Sequence, residues 1–238
     1  MFELSKEHED FRKVVREFAE AEVEPHIAKW DKDHHFPSDL VPKMGELGLF
    51  GLVVPEEFGG MGDDGDFTSL CVAIEELGRV DQSIGITLSA GVGLGINPIL
   101  TYGNQEQKER FLPDLVAGRA LAGFGLTEPD AGSDAGATRT KAVRDGDEWV
   151  VNGSKAFITN SGTDITSVVT VTAASVDDEL PGTRRRRITL RSAAWARSTC
   201  SYCPTAPDRL SDCQAVASLP STAAVGAYCA PGFTNALT

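Results

Sequence analysis

The 238-residue sequence predicts an α+β chain: an all-α domain followed by an antiparallel β domain. Three observations carry this. Apolar residues recur at helical spacing through the first 118 residues. After Gly118 the pattern changes to short alternating runs parted by tight-turn pairs. Near Ala174 the composition changes again. The expected organisation is a helical domain over 1–120, a partial β domain over 121–174 and an atypical tail over 175–238.

Phe11, Val14, Val15 and Phe18 form the stripe of a first helix that Ser5 can cap. Pro25 marks a break or restart. Ser38 is the expected cap of a second helix, with Leu40, Val41, Met44 and Leu47 inward and Gly48 as terminator. Residues 55–66 read as a solvated Gly/Asp loop: they lack the Lys of a phosphate loop and the ligand spacing of a calcium loop. Helix returns over 68–79, with Leu70, Cys71, Ile74 and Leu77 on one face. The charge-free stretch 83–105 carries too many glycines and hydroxyls for a membrane span and reads as a buried helix. Its Gly91, Gly93 and Gly95 do not make a dinucleotide motif, because no strand precedes them and the third glycine is misplaced. Asn104 and Gln107 predict a capping box for a helix over 105–112.

The β part begins with the apolar run 120–126. Residues 138–143 alternate, Asp145-Gly146 is a hairpin turn pair, and 148–152, 155–159 and 165–173 read as strands. Between them lie Glu128, Asp130 and Asp134, which suit either a metal or turn formation, with Gly132, Gly136, Thr127 and Ser133 completing a candidate ligand loop.

The net charge of −13 argues against nucleic acid held through phosphate contacts; the Arg184–Arg187 run reads as a solvated patch. No basic segment precedes an apolar one at the start, and the expected location is cytoplasmic. The charge splits unevenly: −15 up to Ala174 and +2 beyond it. All eight lysines lie at or before Lys155, whereas Cys200, Cys203, Cys213 and Cys229 fall in the tail. A lone Cys200-Ser-Tyr-Cys203 without a second pair or a nearby His is a weak metal signal, and a disulfide module does not suit a cytoplasmic chain. The tail is expected to be disordered, or the product of a shifted reading frame.

The order of a helical region, then YGNQEQKERFLPDLVAGRALAGFGLTEPDAGSDAGATRTKA, then DGDEWVVNGSKAFITN resembles the acyl-CoA dehydrogenase family, over residues 1–173. Its short- and medium-chain members and bacterial relatives look nearest. The resemblance implies FAD as cofactor, an acyl-CoA substrate, α,β-dehydrogenation of the thioester, an electron-transfer flavoprotein as partner and a homotetramer. It further implies that Phe124, Leu126 and Thr127 line the flavin ring. Gly132 and Ser133 would lie near the FAD pyrophosphate, with Ser133 also near the substrate's pantetheine. Phe157, Ile158 and Thr159 match the family's Trp-Ile-Thr/Ser motif, with Phe157 in place of the Trp. Read without the resemblance, Phe157 and Ile158 are plain strand core. The family's C-terminal helical bundle, with its catalytic Glu, is not found after Ala174, so no catalytic residue is assigned and weak activity is expected. Acyl-CoA oxidases, nitroalkane oxidases and a non-catalytic fragment are the alternatives.

Overall fold

The computed structural model describes residues 3–61, 66–145, 148–176, 186–192 and 227–229. In chain order the helices are α1 (Lys6–Phe18), α2 (Ile27–Asp33), α3 (Leu40–Glu46), α4 (Phe67–Val80), α5 (Gln82–Ala90), α6 (Asn97–Tyr102) and α7 (Gln105–Val116). The strands are β1 (Leu121–Gly125), β2 (Lys141–Asp145), β3 (Glu148–Asn152), β4 (Thr166–Val176), β5 (Arg186–Ser192) and β6 (Ala227–Cys229). A helical domain leads into a sheet domain, as the sequence predicts. The turn residue Gly146, the Cys200–Cys203 pair and Arg184–Arg185 lie outside the described residues.

Short polar side chains start the helices by capturing orphan amides. Ser5 accepts from the His8 amide, Asp66 from that of Ser69, and Asp81 from those of Ser83 and Ile84. Asn104 and Gln107 form the reciprocal capping box at the head of α7. The cap of α3 differs from expectation: Asp39, not Ser38, holds the position and makes no side-chain bond. Pro25 sits in a single 3-10 turn between a π turn at Ala19–Val23 and α2, so the chain bends there and stays helical. Helix α7 outruns its expected end, continuing through Pro113 to Val116. Pro113 and Glu109 are both exposed, so water can take the carbonyl that Pro113 leaves without a donor.

Two expected faces shift. Val14 is 49% exposed, leaving Phe11, Val15 and Phe18 to seat α1. Cys71 is exposed, while Val72, Ala73 and Glu76 are buried, because α4 is sandwiched between α1 and α5 and uses two faces.

The helical run Gln82–Tyr102 is long and apolar enough to cross a membrane, yet 61% of it is buried inside the protein. Ile84, Leu88, Val92, Ile96 and Ile99 enter the main core with Met44, Phe50 and Leu77. Leu121, Ala122 and Val168 belong to that same core, so the sheet docks on the helices without a separate interface. The contact is backbone-close: a Cβ on Gly95 would lie 2.9 Å from the Ala122 carbonyl oxygen.

Strand directions are mixed rather than uniformly antiparallel. β4 pairs antiparallel with β5 along one edge, and β5 with β6. Its other edge is shared: β1 runs parallel to residues 166–171, and β2 parallel to residues 174–176. Between these two partners, at Thr172 and Ala173, the edge splits. β2 and β3 make the expected hairpin, with Asp145 opposite Glu148. The expected strand at 155–159 does not form. Phe157 and Asn160 adopt φ of 56° and 63°, which no ladder accepts, and residues 153–161 cross the sheet as an irregular strap.

Candidate functional site

The site grows out of the split in the sheet. The chain leaves β1 at Gly125 and rejoins at Lys141, and the loop between them carries the Gly/Asp-rich motif. Glu128 and Ala131 exchange backbone hydrogen bonds of 2.8 and 3.2 Å across Pro129-Asp130, forming a tight turn. That turn leaves Gly132 and Ser133 exposed, and a Cβ on Gly132 would meet open space. The three carboxylates do not converge on a metal. Asp130 pairs outward with Arg139 at 2.7 Å, while Glu128 turns inward.

Glu128 is buried and hydrogen-bonded at both oxygens. Its Oε1 accepts from Thr140 N at 3.0 Å, Thr140 Oγ1 at 2.6 Å and Lys155 Nζ at 2.7 Å, and Oε2 accepts from Arg139 N at 2.7 Å. Burial alone would raise its pKa. The hydrogen bonds from Lys155, Thr140 and the two backbone amides outweigh burial and hold the carboxyl down at about 2. Lys155 spends its other two protons on Leu126 O at 2.9 Å and Thr172 Oγ1 at 3.1 Å. Burial pushes its ammonium below the ordinary value, and Glu128 opposes that push.

The strap is pinned on either side of Phe157. Upstream, Ala156 N donates to Thr127 O at 2.8 Å, beside the Lys155 anchor. Downstream, Ile158 lies across the two glycines of β1: a Cβ on Gly123 would be 2.9 Å from its Cγ2. Asn160 Nδ2 then reaches helix α5, donating to Thr87 O at 3.0 Å. Between these anchors Phe157 is 90% exposed in the left-handed region.

The anticipated cofactor residues therefore sort by position. Leu126 and Thr127 are half-buried, and the hydrogen bonds to Lys155 and Ala156 bring them beside the strap. Phe157 and Thr159 are exposed on the strap, whereas the Ile158 side chain packs on β1. Alternation along β1 turns the Phe124 side chain away from Ile158, to the face it shares with Ala122. Gly132 and Ser133 lie beyond the turn, and no hydrogen bond joins them to the strap among the described residues. The sequence reading missed Lys155, Thr140, Thr172 and Asn160. A lysine opening a short apolar run, and an Asn closing it in a residue type that tolerates left-handed backbone, were the available signals. A groove lined by Leu4, Arg12, Phe67, Cys71 and Glu75 shares no residue with this site.

The profile of the acyl-CoA dehydrogenase N-terminal domain matches residues 5–119, and that of the middle domain matches 123–192. The chain belongs to the acyl-CoA dehydrogenase family. Probable acyl-CoA dehydrogenase YngJ of Bacillus subtilis is 46% identical over 177 residues, which cover 74% of this chain and 46% of that one. The butyryl-CoA dehydrogenase structure from Megasphaera elsdenii superposes with a TM-score of 0.74 at 37% identity, covering 82% of this chain and 50% of that one. Glutaryl-CoA dehydrogenase of Mycobacterium smegmatis in complex with FADH2 gives 0.72 at 34% identity, covering 79% and 46%. The chain thus spans about half the length of the relatives it matches.

Proposed function

We propose that this chain builds one wall of the flavin site of an FAD-dependent acyl-CoA dehydrogenase, with α,β-dehydrogenation of acyl-CoA thioesters as the reaction class and an electron-transfer flavoprotein as acceptor. The observation that carries the reading is Phe157. A bulky aromatic exposed at 90% and held at positive φ is costly twice over, and such outliers cluster at ligand sites. The residues fit the cofactor: an aromatic face and the Thr159 hydroxyl stand on a pinned strap beside Leu126 and Thr127, and Gly132 leaves space for a phosphate-bearing ligand to approach backbone. The M. smegmatis relative bound to FADH2 supports the same assignment.

Bound FAD supplies the hydride acceptor; the chain's residues supply position and polarity. In this reading the Thr127 hydroxyl and the amides of Leu126 and Thr127 face the polar end of the flavin ring. Phe157 would offer an aromatic face to the ring and shield it from water, and the Thr159 hydroxyl would stand near the reacting edge. Gly132 and Ser133 would hold the pyrophosphate and the pantetheine arm. The α-proton needs a base with a pKa near the working pH. Glu128 does not suit that role: both its oxygens already accept hydrogen bonds, Oε1 three of them, and these hold its pKa down at about 2. Asp130, Asp134 and Asp164 are exposed and none is assigned the role, so we expect little acyl-CoA dehydrogenation by the purified 238-residue chain with a dye acceptor. A flavin absorbance spectrum after reconstitution tests the site itself. A protein that stays colourless with excess FAD refutes the flavin reading, and robust turnover refutes the expectation of weak activity.

A further inference from the structure

Resting on the flavin reading above, we propose that Lys155 and Glu128 are the positioning residues of the site, locking the loop at Leu126–Thr127 to the strap that presents Phe157. The split in the sheet makes such a lock necessary. β1 ends at Gly125 and β2 begins at Lys141 on the same edge of β4, so the carbonyls of Gly125 and Leu126 face a gap in the ladder. The Lys155 side chain, 7% exposed, fills that gap. From the strap its three protons reach two other segments: the loop after β1, at the Leu126 carbonyl and the Glu128 carboxylate, and β4, at the Thr172 hydroxyl. Glu128, 5% exposed, ties in a third through Arg139 and Thr140 just before β2.

An apolar pair could fill the same volume, and burying two charges adds little net stability. What the ion pair adds is direction. Each donor and acceptor is committed, so only one relative placement of loop and strap satisfies them all. Phe157 is two residues from Lys155, and Thr127 is adjacent to both Leu126 and Glu128. The Ala156 to Thr127 bond at 2.8 Å is the rung this lock holds in register.

The test compares the full chain with the charge-free variant carrying Lys155→Met and Glu128→Gln, and with Thr172→Val, which removes one acceptor of Lys155 and the 3.4 Å bond that Thr172 donates to Gly125 O. Amide hydrogen exchange by NMR reads the lock without any ligand. The Ala156 amide should exchange about a hundredfold faster in the double variant, while the β1–β4 ladder stays protected. FAD titration followed by flavin fluorescence should show roughly tenfold weaker binding. Thr172→Val should shift both readouts in the same direction by a smaller factor, and it decides the matter if the double variant does not fold. An Ala156 amide as protected as in the parent overturns the proposal. So does unchanged FAD affinity with an exposed Ala156 amide, which marks the pair as structural only. A parent chain that binds no FAD overturns the flavin reading instead, and the exchange data still decide whether the pair fixes the loop.

Discussion

At the scale of single residues, the strap holds the clearest tension between stability and use. Holding a β-carbon at φ of 56° costs about 1 kcal/mol, and a fully solvated phenyl ring gains nothing from burial. We therefore predict that Phe157→Gly leaves the melting temperature unchanged or raises it, while FAD binding weakens. A lower melting point measured by calorimetry would show instead that Phe157 packs in the folded state. Thr170 makes the opposite case. Its Oγ1 is buried without a hydrogen-bond partner among the described residues, in a strand facing β1 and β5. Replacing the hydroxyl by a methyl removes an unpaid desolvation, so Thr170→Val should stabilise by about 1 kcal/mol in urea unfolding.

At the scale of elements, α1 and α4 are joined by a buried carboxylate among guanidinium groups. Glu76, 2% exposed, takes a bidentate pair of bonds from Arg16 at 2.8 and 2.9 Å, with Arg12 and Arg79 each at 3.4 Å. The Arg16 hydrogen bond lowers its pKa most; burial works against it, and the charges of Arg16, Arg79 and Arg12 assist. Sequence periodicity placed α4 but could not place Glu76, because one helix's period says nothing about where a second helix lands. Glu76→Ala leaves three cations facing one another, and we predict a loss of about 2 kcal/mol, discounted because Arg16 and Arg79 are nearly half exposed. Chemical denaturation checks it. Caps were legible in part. Ser5 and Asn104 act through atoms within three residues of themselves, so the sequence contains both partners, whereas the caps at Asp66 and Asp81 were not read and that expected at Ser38 fell to Asp39.

At the scale of the whole molecule, acid should act through the sheet split. A carboxyl whose folded pKa lies below its unfolded value contributes stability that is complete above the unfolded value and is lost as pH falls through the folded one. For Glu128 that window runs from the ordinary 4.5 down to about 2. We predict that the urea midpoint of the full chain falls across this range, and that the variant with Lys155→Met and Glu128→Gln shows a shallower fall. Equal slopes would place the acid sensitivity elsewhere, with Glu76 and Asp66, whose pKa values are also lowered, as the remaining candidates.

By itself the sequence determined the succession of a helical and a β region, the caps at Ser5 and Asn104, the hairpin and the motif that resembles a flavin loop. These depend on residues a few positions apart, and one strand of text carries them. Only the tertiary structure decided that β4 is shared by two parallel partners, that residues 155–159 are a strap rather than a strand, and that Glu128 faces Lys155 rather than a metal. The physical reason is the split edge. Pairing of β4 with two strands distant in sequence leaves donors and acceptors that something must satisfy, and that the side chain of Lys155 reaches Glu128, 27 residues away, depends on geometry that local propensity does not encode.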